Sequence, residues 1–301
     1  MNNWFLKNTK GLSGKTVAIT GATGDLGREI CFHLAGLGAN LLFLDRNLQK
    51  SLKLEEDIKS RYPETRISRI ILDLFDIDSV KAAAEKLKQK EIDFLILNSA
   101  VYSVPQEISN LGFDNVFQIN FVSHYYLVKE LLPSLRERQG RVVVMGSIAY
   151  NYSKTNPADI DFKSVKSCEK VYGNSKRYLM FSLLELFKNE NKASLSVVHP
   201  GISFTNITSH YPKVIFALIK YPMKLIFMKP KKASLCAISG IFKDAGYKEW
   251  IGPRLFNVWG MPAVKKLTGC SSEESRRIFE SAEKIYNKIT NKKIKNKDVE
   301  K

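Results

Sequence analysis

The chain has 301 residues, 44% apolar and 26% charged, with a formal net charge of +17; this is an ordinary globular composition, enough for one large α/β domain or two small ones with a sizeable core. The charge is not a nucleic-acid signature: seven lysines fall within 284–301, the rest are scattered, and no Arg/Lys block alternates with aromatics. The excess reads as a basic tail and a lysine-rich surface, suited to an anionic cofactor or anionic lipid rather than to nucleic acid.

The four cysteines, Cys31, Cys168, Cys236 and Cys270, show neither C-x-x-C spacing nor a neighbouring histidine pattern. No metal site is expected, and free thiols imply a reducing compartment. No signal-peptide run opens the chain, and the apolar stretch 214–228 is interrupted by Lys220, Pro222 and Lys224 and too short to span a bilayer. A cytoplasmic protein, at most peripheral to a membrane, is expected.

Residues 1–13 form an N-terminal extension. The strands that follow are short β-branched or Leu-rich runs bounded by polar, Gly or Pro residues: 16–20, 40–44, 66–72, 93–98, 141–147 and 194–201. Their near-continuous apolar character suits a parallel sheet covered on both faces. Helical periods separate them at 47–60, 78–90, 111–133 and 172–190. The stretch 203–245 is apolar, Pro-punctuated and helical in period, and reads as a substrate-binding lid. A helix with a capping-box start covers 272–290, and 291–301 is a basic, disordered tail. The alternation predicts a single α/β domain over 14–290, a doubly wound parallel sheet of about seven strands with helices on both faces. Such sheets bind ligands beyond the carboxyl ends of their strands.

The first strand ends in Gly21-Ala22-Thr23-Gly24-Asp25-Leu26-Gly27, and a helix follows. Glycines permit a tight turn and close approach to a pyrophosphate, and a helix N-terminus favours an anion. Asp25 stands where phosphate would lie; it is expected to cap the helix and turn away, or else to pair with Arg28. Asp45 ends the second strand, where a carboxylate can accept from the adenosine ribose hydroxyls and favours NAD; its neighbour Arg46 would instead suit the 2′-phosphate of NADP. The remaining strand ends carry Asp73-Leu74, Asn98-Ser99-Ala100 and Gly146-Ser147. Tyr172 and Lys176, four apart, share one helical face.

In this order, TGATGDLG, LDL, NSA, QINFVSHYYLVKELLP, VVVMGS, YGNSK and HPGISFT resemble the short-chain dehydrogenase/reductase superfamily across roughly 14–290. The wide Ser147–Tyr172 gap, with KPKKASLCAISGIF and KEWIGPRLFNVWG downstream, is similar to the retinol-dehydrogenase-like branch. The resemblance implies a Rossmann-type fold, an NAD or NADP cofactor, and oxidation or reduction of a lipophilic alcohol/carbonyl pair such as a retinoid or steroid. It also implies roles. Tyr172 is the general acid/base, Lys176 lowers its pKa and bonds the nicotinamide ribose, and Ser147 holds the substrate oxygen. Asn120 holds a water in a relay to Lys176. Pro200, Gly201, Ser203 and Thr205 cradle the nicotinamide end. His124 reads as a packing histidine, and His199 as a less favoured substrate contact.

Two departures stand out. Ser99 and Val101 replace the Asn and Gly of the usual N-N-A-G, and a β-branched residue resists positive φ, so the adenine-side wall is expected to be reshaped. The glycine spacing resembles the nucleotide-sugar branch, which keeps an epimerase or dehydratase open as an alternative, beside a non-catalytic NAD(P) sensor. Relatives of this kind form homodimers, which the gap loop could obstruct. Many animal members carry a membrane anchor that this sequence lacks, so a soluble relative is expected.

Overall fold

A computed structural model describes residues 2–201 and 228–297. Eight strands form one sheet: β1 (Thr16–Thr20), β2 (Asn40–Asp45), β3 (Ile67–Ile71), β4 (Phe94–Leu97), β5 (Arg141–Met145), β6 (Ser194–Val198), β7 (Glu249–Leu255) and β8 (Trp259–Lys266), in the order β3-β2-β1-β4-β5-β6-β7-β8. β1 to β7 are parallel. The expected parallel sheet therefore gains an eighth strand, antiparallel to β7. Pro253 and Pro262, paired across that hairpin, mask it in the sequence, because proline reads against a strand; β8 tolerates Pro262 as an edge.

Alternation along each strand sends neighbours to opposite faces. Val17 and Ile19 pack with Ile30 and Leu34 of α2 (Asp25–Gly36), with Leu54 and Ile58 of α3 (Leu48–Lys59), and with the buried residues of α9 (Leu235–Phe242). Ala18 and Leu42 face the other layer: α4 (Ile77–Lys88), α6 (Ser123–Glu137), α7 (Cys168–Leu186) and α10 (Ser272–Lys297). Trp4 and Phe5, on α1 (Asn2–Asn8), pack against the α2 side.

Several boundaries differ from the sequence reading. Gly112 at φ 84 interrupts the expected 111–133 helix; helix starts at α5 (Asn115–Phe117), capped by Asp114, and continues through a π-turn, Gln118–Val122, into α6. α7 starts at Cys168 because the Ser167 side chain accepts from the Lys170 amide. The tail stays helical to Lys297, past the expected end at 290. The part of the expected lid at 235–241 is wholly buried core, preceded by the one-turn α8 (Pro230–Ala233).

The chain reverses direction across the sheet between β1 and β4, opening a crevice at their carboxyl ends. Among the described residues, the predicted site residues gather along that edge.

Candidate active site

The three glycines of the β1–α2 turn serve different purposes. Gly21 takes φ +67, and a Cβ there would lie 2.5 Å from Ser99 Oγ. At Gly27 a Cβ would meet the Gly21 carbonyl oxygen at 2.1 Å, so its absence lets α2 pack on the turn. Gly24 has neither reason: its backbone is extended (φ −74, ψ 160), and its nearest Cβ neighbour would be 3.6 Å away. Its bareness leaves open surface beside the start of α2. Gly24 itself is the N-cap, with no side-chain cap bond. Asp25 is thus the first helical residue rather than the cap, which corrects the sequence expectation; Arg28 reaches Asp57 at 2.7 Å. A carboxylate in the first turn still suits the helix dipole. Leu26 packs towards the α2 core.

The adenosine-side residues are largely committed to the protein. Asp45 is 5% exposed and accepts from the Thr23 amide (3.4 Å), the Thr23 hydroxyl (3.3 Å) and the Ser51 hydroxyl (3.0 Å). Burial raises its pKa, and these bonds oppose the rise. Arg46, with 73% of its side chain exposed, lies 3.7 Å from Asp73. Asp73 also accepts from the Phe75 amide. Leu74 is buried, and its carbonyl accepts from the Ser123 hydroxyl. Asn98 donates to the Thr20 and Gly21 carbonyls at 3.1 and 2.9 Å, bracing the turn from within. Ser99 fills the space beside Gly21, with the half-buried Ala100 next to it. Val101 keeps φ negative; the left-handed residue of this loop is Ser103, at φ 51. The missing glycine is absorbed two residues downstream, and Val101 is held by both ends of the Asn120 amide at 2.8 and 2.9 Å.

Asn120, Ser147, Tyr172 and Lys176 belong to three elements. Asn120 sits fully buried in the π-turn, a geometry that recurs at functional sites. Its side chain serves Val101 and the Ser175 hydroxyl (3.1 Å), and its carbonyl meets His124 Nδ1 at 3.3 Å. On the other side of the ring, His124 Nε2 lies 3.2 Å from Thr20 Oγ1, which already accepts from the Asn98 and Ser99 amides. A carbonyl only accepts, so Nδ1 carries the proton and Nε2 receives the Thr20 hydroxyl. Burial pushes the His124 pKa down to about 3, so the ring is neutral. His124 thus links the cofactor-loop strand to the Asn120 turn, more than the packing role read from sequence. An i, i+4 His beside Asn120 was the only signal.

Ser147 caps the 3₁₀ turn Ile148–Tyr152. α7 lies against that turn because Gly173 has no side chain: a Cβ there would meet the Ala149 carbonyl at 2.3 Å. The close approach sets α7, and Tyr172 with it, against the turn that Ser147 caps. Arg177, 2% exposed, fixes the far side of the turn through the Tyr150 carbonyl (3.0 Å), the Gly269 carbonyl (2.6 Å) and Glu274 (2.6 Å).

The expected lowering of the Tyr172 pKa by Lys176 is not what the geometry gives. Burial raises Tyr172 to about 12, with the Ser147 hydrogen bond opposing and Tyr152 adding to the rise. Lys176 is itself lowered to about 8 by burial. Its ammonium donates to the Met145 carbonyl at 2.8 Å and stands 5.7 Å from the centre of the Tyr172 ring. Desolvation dominates both groups.

At the far end, β6 runs into His199, Pro200 and Gly201. Gly201 takes φ +81 and lies so close to the β7–β8 turn that a Cβ would meet the Val258 carbonyl at 2.7 Å. His199 stacks on Trp250 (5.0 Å, 11°) and donates from Nε2 to the Asn257 carbonyl at 3.0 Å, an anchor for that turn rather than a substrate contact. Ser203 and Thr205, and the lid segment up to 227, lie outside the described residues.

These features fit a nicotinamide dinucleotide: bare backbone at Gly24, a helix N-terminus behind it, and an exposed guanidinium at the end of β2. The short chain dehydrogenase family model matches residues 15–158. An oxidoreductase of Schizosaccharomyces pombe is 29% identical over 251 residues, which are 78% of this chain and 74% of that protein. Mouse retinol dehydrogenase 13 is 27% identical over 205 residues, 66% of this chain but only 61% of the relative. Among solved structures, a protein from Mycobacterium paratuberculosis superposes with TM-score 0.71 at 22% identity, covering 95% of this chain and 96% of its own.

Proposed function

The chain belongs to the short-chain dehydrogenase/reductase superfamily, and on that premise we propose that it is an NAD(P)-dependent oxidoreductase acting on an apolar alcohol/carbonyl pair. The observation that carries the reading is the convergence of Ser147, Tyr172 and Lys176 at the end of β5, with α7 held against the Ser147 turn by Gly173 and the lysine anchored on Met145. A bound nicotinamide dinucleotide supplies or receives the hydride. The protein's own groups do the rest. Ser147 orients the substrate oxygen by hydrogen bonding. Tyr172, protonated at neutral pH, donates its proton to the oxygen as negative charge develops there. Lys176, anchored on the Met145 carbonyl, keeps a positive charge 5.7 Å from the centre of the phenol ring. Asn120 holds the Val101 loop and the Ser175 hydroxyl in register, and its carbonyl direction is set by His124.

An apolar substrate is supported by the similarity to retinol dehydrogenase 13 and by the Phe-, Ile- and Leu-rich composition of 203–229. For the cofactor, the geometry supports NADP over the NAD suggested by Asp45 alone. Both Asp45 oxygens already accept bonds, from Thr23 and Ser51, while the exposed Arg46, 3.7 Å from Asp73, is a cation suited to a 2′-phosphate. Placement in the cytoplasm, with peripheral membrane contact, follows from the same apolar substrate class; among the described residues no helix is long and apolar enough to cross a membrane.

The test is oxidation of NADPH and NADH by the full chain across retinal, steroid ketones and aryl ketones, with Tyr172→Phe alongside. Turnover should fall about 10²- to 10⁴-fold in the variant with cofactor affinity kept. Equal turnover by both proteins would defeat the assignment. Tightly retained, unreleased NAD with slow turnover on a nucleotide sugar would favour the epimerase reading instead.

A further inference from the structure

The β7–β8 turn presents an aromatic side chain that packing among the described residues does not explain. Phe256 and Asn257 take φ of 51 and 58, the central pair of a turn closed by the Val258 amide on the Leu255 carbonyl at 2.9 Å, where Asn-Gly or Asp-Gly is usual. A bulky aromatic in the left-handed region is strained, and internal packing does not offset it: Phe256 is 85% exposed. Leu255 and Trp259 pair directly across the hairpin and are 54% and 40% exposed. Strain held without an internal gain points to a use outside the fold.

The position and charge of the turn indicate the use. β7 runs parallel to β6, so the turn lies at the carboxyl edge of the sheet, against Gly201 and on the same edge as Ser147. Its surroundings are cationic. Between Trp250 and Lys265 the hairpin carries Arg254 and Lys265 and no carboxylate, and the acidic residues before it are Asp244 and Glu249. Both carboxylates are engaged away from the tip, Asp244 by Arg141 and Glu249 by the Gly246 amide. Arg254, exposed, adjoins the apolar residues, and Lys265 clamps the turn through Asn257 at 2.9 Å.

We propose that the Leu255–Trp259 turn is a docking tip for an anionic lipid bilayer, with Phe256 and its neighbours entering the interface and the flanking cations meeting the headgroups. Aromatic residues prefer that depth, and each nearby cation adds attraction to an anionic leaflet. Docking in this orientation turns the strand-end crevice toward the membrane. Uptake of an apolar substrate from the bilayer rests on the oxidoreductase reading; the docking itself does not.

The experiment is sedimentation of the full chain, without cofactor or substrate, with vesicles of phosphatidylcholine alone and of phosphatidylcholine with phosphatidylglycerol. Binding is expected to the mixed vesicles only, with a blue shift of tryptophan emission that disappears in Trp259→Phe. Phe256→Asn suits the left-handed backbone, so the fold should be kept, while the vesicle partition coefficient drops about tenfold. Unchanged binding by Phe256→Asn, or equal binding to both vesicle types, would overturn the proposal. So would a wild-type dimer in gel filtration that Phe256→Asn dissociates, which would make the tip a contact between copies. Tyr172→Phe should bind vesicles as wild type does, which separates this result from the fate of the catalytic assignment.

Discussion

Alanine at each glycine of the β1–α2 turn separates architecture from ligand binding. At Gly27 the added Cβ would lie 2.1 Å from the Gly21 carbonyl oxygen and 3.0 Å from Ala22 Cα. Both are backbone atoms, so α2 must lift from the turn, and we expect a loss of roughly 3 kcal/mol or more. At Gly21 the left-handed backbone costs about 1–2 kcal/mol, and Ser99 Oγ, 2.5 Å from the new carbon, must also move. At Gly24 the backbone is already extended and the contact is an ordinary 3.6 Å. The weaker N-cap there costs at most about 1 kcal/mol, and the stiffer unfolded chain returns about 0.4–1 kcal/mol. Gly24→Ala should therefore melt close to wild type.

Cofactor binding should reverse the ranking. If the pyrophosphate rests on the bare Gly24 backbone, a methyl group there holds it off, and the Kd for NADPH should rise at least about tenfold, or roughly 1.4 kcal/mol. Thermal unfolding and fluorescence titration of the three variants measure both quantities. Wild-type affinity in Gly24→Ala would refute the cradle. A melting loss as large as that of Gly27→Ala would show that Gly24 is structural after all.

His124→Phe leaves the Thr20 hydroxyl and the Asn120 carbonyl without their shared partner, and should lower stability by roughly 2–4 kcal/mol in denaturant unfolding. His124 is held down at about 3 against an ordinary 6.5; the unfolded chain takes the proton first, so this group's contribution is full above pH 6.5 and falls away as the pH drops towards 3, a slope that the variant should lose. Arg46→Ala should raise the Kd for NADPH about tenfold and leave NADH unchanged; equal losses for both would remove the guanidinium from the phosphate site.

The strands and the line of site residues along the carboxyl edge were legible because the information is local. Each strand is a short apolar run, and each site residue follows one or sits on a helical face at fixed spacing. What was not legible depends on contacts distant in sequence. The Asp25 cap failed because Gly24 already had the extended backbone of a cap, which moved Asp25 into the helix. Asp45 was read as a ribose acceptor, but that Thr23 and Ser51 also bond its carboxylate, from two other segments, could not be read. The β7–β8 hairpin was hidden by its prolines, and the Thr20–His124–Asn120 link spans 104 residues between its first two members.

If Tyr172 and Lys176 are the proposed proton donor and its cationic neighbour, their titration gives the two directions different pH profiles. Burial is the largest influence on both groups, raising Tyr172 to about 12 and lowering Lys176 to about 8. At pH 7 the phenol is protonated and the amine charged, which is the state needed to donate a proton to a carbonyl undergoing reduction. Oxidation of an alcohol needs the phenolate, which at pH 7 is about five units uphill, or roughly 7 kcal/mol. Reduction should then be flat from pH 6 to about 8 and decline above that, as Lys176 loses its charge. Oxidation should rise with pH over the same range, close to tenfold per unit, as the phenolate population grows. Initial rates in both directions between pH 6 and 10 would read the two profiles. An oxidative rate that levels off near pH 7 would mean that something other than Lys176 at its present distance brings the phenol down, and desolvation would no longer be the dominant influence on Tyr172.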